Sequence, residues 1–227
     1  MIVAVHQPQY LPWLGYFDKI RRADVFVLLD NVQFKKNEWQ NRNRIKTAQG
    51  FQWLTVPVGY KYPQLINEVT INNTVRWQHK QRQAILTNYG KATCYEYLEG
   101  FFEEIFSNSW QMISELNTHV VRRLAGILGI DTPLFVSSRL GEFPDNPDER
   151  LVAITRHFSG DTYLAGSGGR QYMDLEKYGA QGIEVKFQDY QHPEYAQLFG
   201  KFTPYMSVID LILNHGDKSL DILRGNE

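Results

Sequence analysis

The first thirty residues constrain the fold of this chain more than any later stretch. Residues 2–5 (IVAV) are a short apolar run of the kind that forms a buried strand. A proline-punctuated polar loop follows over residues 6–12 (HQPQYLP), then a helical stretch over 13–22, then a second apolar run over 25–29 closed by Asp30. Pro12 suits the first turn of that helix, where its fixed φ and missing N–H cost nothing. Strand, helix and strand within so few residues predict a βαβ unit, which imposes a parallel pair joined by a right-handed crossover.

The middle of the chain breaks this rhythm. Residues 43–47 and 51–58 flank Ala48-Gln49-Gly50 and read as a hairpin, with Pro57 near the end of the second strand. Residues 66–71 read as a further strand. A helix is expected over 74–89 with Thr74 as N-cap. A second is expected over 109–129, where Met112, Leu116, Val120 and Leu124 recur four apart and Gly129 follows. The βα alternation then returns, with strands at 134–136, 162–164 and 183–187 and helices near 148–158 and 170–179. The prediction is one α/β domain over residues 1–227. It has a mainly parallel, Rossmann-like sheet flanked by helices and a β-hairpin and helical insertion in the middle. The acidic, proline-containing loop 142–150 is the candidate hinge or lid.

A net charge of -1 lacks the basic excess of a nucleic-acid binder. One cysteine, Cys94, excludes an internal disulfide framework and fits a cytoplasmic protein. The N-terminal apolar run is too short for a signal peptide or a membrane span. The six histidines show no metal-binding spacing, so no metal site is expected. Ser167 lacks a nucleophile-elbow context. Aromatic residues make up 14% of the chain, which suits clefts and interfaces as well as cores and is compatible with a homodimer.

In open parallel sheets ligands bind outside the carboxyl ends of the strands, and His6 begins such an end. A histidine there can act as general acid or base near neutral pH. Gln7 adds a donor and an acceptor, while Tyr10, Trp13 and Tyr16 offer flat surfaces for a base or a sugar ring. Asp30, at the end of the second strand, could orient a hydroxyl. Residues 35–46 (KKNEWQNRNRIK) concentrate positive charge against Glu38 alone. Lys36, Trp39, Asn41, Arg42 and Asn43 are therefore candidates for binding an anionic group, Arg42 foremost. The segment is too short for a nucleic-acid surface. Ser167, Gly168 and Gly169 follow a strand and precede a helix, an arrangement that lets backbone approach a phosphate. Gln188, Tyr190, Pro193, Tyr195 and Gln197 form a polar-aromatic loop able to cover a ligand. Asp210 and Asn214 lie four apart on a later helix. No pattern demands a cofactor; a nucleotide-linked donor or acceptor is the group these residues would suit.

The strings HQPQYLPWLGYFDKI, ADVFVLLDNVQF, WQNRNRI and WLTVPV, followed by YLAGSGGRQYM, PEYAQ and SVIDLILNHG, resemble the WbqC-like family of bacterial proteins, in order and along nearly the whole chain. That resemblance implies a place in O-antigen or other surface-polysaccharide biosynthesis. It also implies transfer of glycine or another acyl group to an amino sugar. A fainter resemblance links the chain to nucleotidyltransferase-type folds, which also place a histidine after the first strand, but their HxGH signature is absent here. The expectation is a group transferase acting on a small anionic or nucleotide-linked substrate. A nucleoside-triphosphate-dependent transferase or ligase and a non-catalytic binding protein of the same pathway are the alternatives.

Overall fold

The computed structural model describes residues 1–225. The order of elements is β1 (Ile2–His6), α1 (Leu14–Arg21), β2 (Val25–Leu28), β3 (Arg42–Thr47), β4 (Gly50–Thr55), β5 (Val58–Gly59), β6 (Thr70–Ile71), α2 (Trp77–Tyr89), α3 (Glu96–Ser107), α4 (Ile113–Ile127), β7 (Leu134–Val136), α5 (Pro147–His157), β8 (Thr162–Ala165), α6 (Leu175–Gly179), β9 (Glu184–Phe187), α7 (Val208–His215) and α8 (Ser219–Arg224).

Five strands form one parallel sheet in the order β7-β2-β1-β8-β9. Counted within the sheet this is third, second, first, fourth, fifth, the doubly wound order, and it reverses direction between β1 and β8. Side chains alternate across the pleat. Ala4, Phe26, Leu28 and Leu164 enter the larger core with Leu14, Phe17 and Ile20 of α1. Val3, Val5, Val27 and Tyr163 enter a smaller core closed by Val152 and Ile154 of α5 and Tyr178 of α6. Strands buried on both faces explain why β1 and β2 read as continuous apolar runs.

The antiparallel β3–β4 hairpin, the small β5–β6 pair and helices α2 to α4 are inserted between β2 and β7. Helix α3 is not among the sequence expectations. It forms because Leu98, Phe101, Phe102, Ile105 and Phe106, on one helical face, are all buried.

Several local expectations are corrected. Thr74 does not cap α2; it donates to Asn72 Oδ1, and the helix starts three residues later at Trp77. Pro12 precedes α1, whose N-cap is Trp13, and its carbonyl accepts from Val208 N–H. Residues 66–71 divide into a 3-10 turn (Ile66–Glu68) and the two-residue β6. Met112 is the extended residue before α4, and a 3-10 turn (Ser167–Gln171) replaces the first part of the helix expected at 170. The second half of 142–150 is the first turn of α5, capped by Asn146. Arg150 folds the first half back by donating to Pro144 O.

The C-terminal α7 is fastened to the insertion by a buried carboxylate. Asp210 accepts from Tyr89 Oη at 2.6 Å, Tyr195 Oη at 2.9 Å and Gln197 Nε2 at 2.7 Å. Burial pushes its pKa up, against these three donors. Asp210→Ala would strand the buried Tyr89 and Tyr195 hydroxyls as donors, each unmet buried group costing about 1–3 kcal/mol. A loss of at least about 2 kcal/mol is expected, read as a lower urea midpoint at unchanged slope. A shift of a few tenths would show that the network contributes little.

Candidate functional site

A cavity of about 390 Å³ opens at the reversal between β1 and β8. Its walls come from the carboxyl ends of three strands and from α1. His6 ends β1; Trp13, Gly15, Tyr16 and Lys19 belong to α1 and its cap. Ser167, Gly168, Gly169 and Tyr172 follow β8, and Gln188, Asp189 and Tyr190 follow β9.

The state of His6 is fixed by its surroundings. Its Nδ1 lies 3.1 Å from the Gln7 carbonyl, which also accepts from Tyr16 Oη at 3.1 Å. A carbonyl only accepts, so Nδ1 carries the proton and the neutral ring keeps its lone pair on Nε2. The ring packs edge-on against Tyr16, with centroids 4.9 Å apart. Burial and then the nearby Lys19 charge pull the His6 pKa down to about 3, against the Gln7 hydrogen bond. At neutral pH the ring is neutral.

Lys19 is nearly inaccessible, at 2% exposure, on a helix whose neighbours from Leu14 to Ile20 are all buried. Its Nζ donates to Val5 O at 2.9 Å and makes no ion pair among the described residues. Burial lowers its pKa to about 7. The adjacent Asp18 instead pairs with Arg21 and Arg22 and accepts from Gln188 Nε2 at 2.7 Å, tying the β9 loop to α1. Trp13 is caged by Tyr190, His192 and Tyr205 at centroid distances of 5.8, 6.2 and 5.7 Å. Its indole lies over Gly15, where a Cβ would fall 2.2 Å from the ring.

The loop between β1 and α1 is held under strain. Leu11 has a φ of 45°, a left-handed conformation that costs a residue with a Cβ about 1–2 kcal/mol. Asn43 Nδ2 holds its carbonyl at 2.7 Å. Asn117, fully buried, donates to Pro8 O at 3.2 Å and Gln40 O at 2.7 Å.

Of the residues singled out in the sequence, His6, Trp13, Tyr16, Ser167, Gly168, Gly169, Gln188 and Tyr190 therefore meet in one cavity. Others are placed elsewhere. Gln7 turns to accept from Gln40 Nε2 at 2.7 Å. Tyr10 is enclosed in the core, donating to Gln81 Oε1 at 2.6 Å, so its ring cannot stack on a ligand. Asn41 donates to Val56 O, and Asn43 braces the loop. Tyr195 and Gln197 bind Asp210 and do not cover the cavity. Asp30 lines a second cleft with Asn67 and Arg122, and its carboxylate accepts from Ser137 Oγ and from Ser138 N–H and Oγ. Lys36 and Trp39 are exposed, and Arg42 lies over the Trp53 ring at 4.2 Å, outside the cavity. Gly15, Lys19, Tyr172 and Asp189 are the cavity residues that sequence reasoning missed.

This geometry coincides with a family-wide match. Residues 7–222 match the WbqC-like protein family. The chain belongs to that family. This WbqC-like protein is also 36% identical over 226 residues to the uncharacterized protein Rv1507c of Mycobacterium tuberculosis, covering 98% of this chain and 97% of the relative. No solved structure matches it. Among the described residues no helix is long and apolar enough to cross a membrane, and no group of three or more His, Cys, Asp or Glu side chains is placed to hold a metal.

The His6 assignment has a direct check. Nitrogen-detected NMR at pH 5 should show its ring neutral, with Nδ1 protonated and Nε2 bare. A His6 ring that takes up its second proton near 6.5 would remove the neutral-base assignment.

Proposed function

We propose that this WbqC-like protein is a group transferase of surface-polysaccharide biosynthesis, moving an acyl or aminoacyl group onto the amine of an amino sugar carried on a nucleotide. The observation that supports it most is a neutral histidine, with its tautomer fixed, at the sheet's reversal point. His6 Nε2 takes the proton released as the amine nitrogen bonds to the acyl carbon and the donor's leaving group departs with its electron pair. Trp13 supplies the flat wall for the sugar or base. The anionic part of the substrate meets the Lys19 ammonium and the first N–H groups of the turn after β8. The anion-binding role expected of residues 35–46 passes in this reading to Lys19, because Arg42 faces away on the hairpin.

A glycine turn and a lysine at the same reversal point also suit a nucleoside triphosphate, so nucleotidyl transfer is the second reading. A thermal-shift screen separates the two. At a hundred times its dissociation constant a ligand adds about 2.7 kcal/mol of stability. Stabilisation by nucleotide-linked amino sugars supports the first reading; stabilisation by triphosphates with Mg²⁺ alone, with pyrophosphate released on turnover, replaces it by the second. Stabilisation by neither would leave a non-catalytic protein of the same pathway.

Two kinetic outcomes follow once the substrate is in hand. His6→Gln should lower kcat by about 10²–10⁴ while leaving KM within a few-fold. A larger effect on KM than on kcat would make His6 a binding residue. Lys19 holds an anion only while protonated, so kcat/KM should fall as pH rises through about 7. Lys19→Arg should abolish that limb. If the limb persists in the arginine variant, Lys19 does not set it.

A further inference from the structure

Outside the cavity, the β3–β4 hairpin carries an unusual surface. Its pairing puts Arg44 opposite Trp53 and Lys46 opposite Phe51, on the same face as Arg42. Phe51 is 48% exposed, and Trp39 and Trp53 are each 37% exposed. The rings form one cluster, with Trp39–Trp53 centroids 5.7 Å apart and Phe51–Trp53 centroids 6.1 Å apart. The Arg44 guanidinium lies 5.0 Å from Phe51, 5.7 Å from Trp53 and 5.8 Å from Trp39; Arg42 lies 4.2 Å over Trp53. Neither arginine has a carboxylate partner among the described residues, and nor do the exposed Lys35 and Lys36. Glu38 is the one acid in this segment. Half-exposed indoles set among unpaired cations call for an anionic, partly apolar partner.

We propose that this face docks on a membrane surface rich in anionic headgroups, with the Trp39, Phe51 and Trp53 rings at the headgroup boundary and the cations on the lipid phosphates. Tryptophan and phenylalanine beside basic residues favour that boundary, where one side is apolar and the other wet. A nucleic-acid strand fits less well, because the guanidiniums already occupy the Trp53 face on which a base would stack. A second copy of the chain would bring like charges together. The face adjoins the cavity: Arg44 Nη2 donates to Tyr205 O at 3.1 Å, and Tyr205 packs on Trp13. The proposal does not rest on the transferase reading.

The test is co-sedimentation of the full chain with vesicles of phosphatidylcholine alone or mixed equally with phosphatidylglycerol. Binding should be at least about tenfold tighter to the anionic vesicles and should weaken in about 0.5 M salt. Phe51→Ser and Trp39→Ser, both at exposed positions of the ring cluster, should each weaken it about fivefold or more with the melting temperature unchanged. Equal binding to neutral vesicles, no loss in either folded variant, or binding to a single-stranded oligonucleotide in place of vesicles would each overturn the proposal.

Discussion

Everything at the site depends on β1 being paired on both sides, in parallel, by strands from opposite halves of the chain. Val3 lies opposite Val25 on one side and Tyr163 on the other; Ala4 lies opposite Phe26 and Leu164. Residues 3–5 are therefore buried between flanking strands, and the run cannot slip without moving its valines to the wrong core. That fixes the height of His6 in the sheet. The crossover from β1 leaves toward β2 and the last crossovers build β8 and β9 in the other direction, so the loops separate above His6 and leave a crevice. The cavity is a consequence of topology before any side chain is chosen.

Side chains then decide what the crevice can do. Two ionisable groups, the partly buried His6 and the buried Lys19, line it with backbone carbonyls as their hydrogen-bond partners, Gln7 O and Val5 O. Desolvation outweighs these carbonyl bonds, which supply no full counter-charge, so each group is biased toward its neutral form. Asp18, one residue before Lys19, would remove that bias, but two arginines and Gln188 engage it instead. The separation of Asp18 from Lys19 keeps a neutral imidazole and a lysine amine of lowered pKa in one cavity lined by polar and aromatic groups.

Much of the fold was legible because the parallel strands are short apolar runs bounded by turn residues, a signal that survives without knowledge of neighbours. The site was half legible for the same reason: His6 and the Ser167–Gly169 turn are strand-end residues, and strand ends can be read. Lys19 was not, because α1 is buried nearly all round and a period of polar and apolar residues carries no information there. Tyr10 and Arg42 misled through partners far away in sequence: Gln81 claims the phenol, and Trp53, on the opposing strand, claims the guanidinium. A charge run says that cations are close together, not which surface neutralises them. Helix α3 is different. Its apolar spacing over Leu98, Phe101, Phe102, Ile105 and Phe106 is plain in the sequence.

Asn43, read as a ligand contact, instead holds the loop that shapes the cavity, together with Asn117, which the sequence did not single out. Asn43 and Asn117 are buried amides whose donors end on the carbonyls of Leu11, Pro8 and Gln40. An apolar core could be built more cheaply without them, since buried amides must recover their desolvation through hydrogen bonds. What they secure is a left-handed Leu11 before Pro12, a conformation that the chain would not choose alone. With Leu11 so turned, the chain enters α1 with Trp13 as its cap, the indole over Gly15 and against the cavity. The motif WQNRNRI thus acts on the site from behind: Asn43 faces inward to fix the loop, while Arg42 and Arg44, on alternate positions of the same strand, face out to the hairpin's aromatic surface. One strand, through its two faces, joins the geometry of the cavity to the surface beside it.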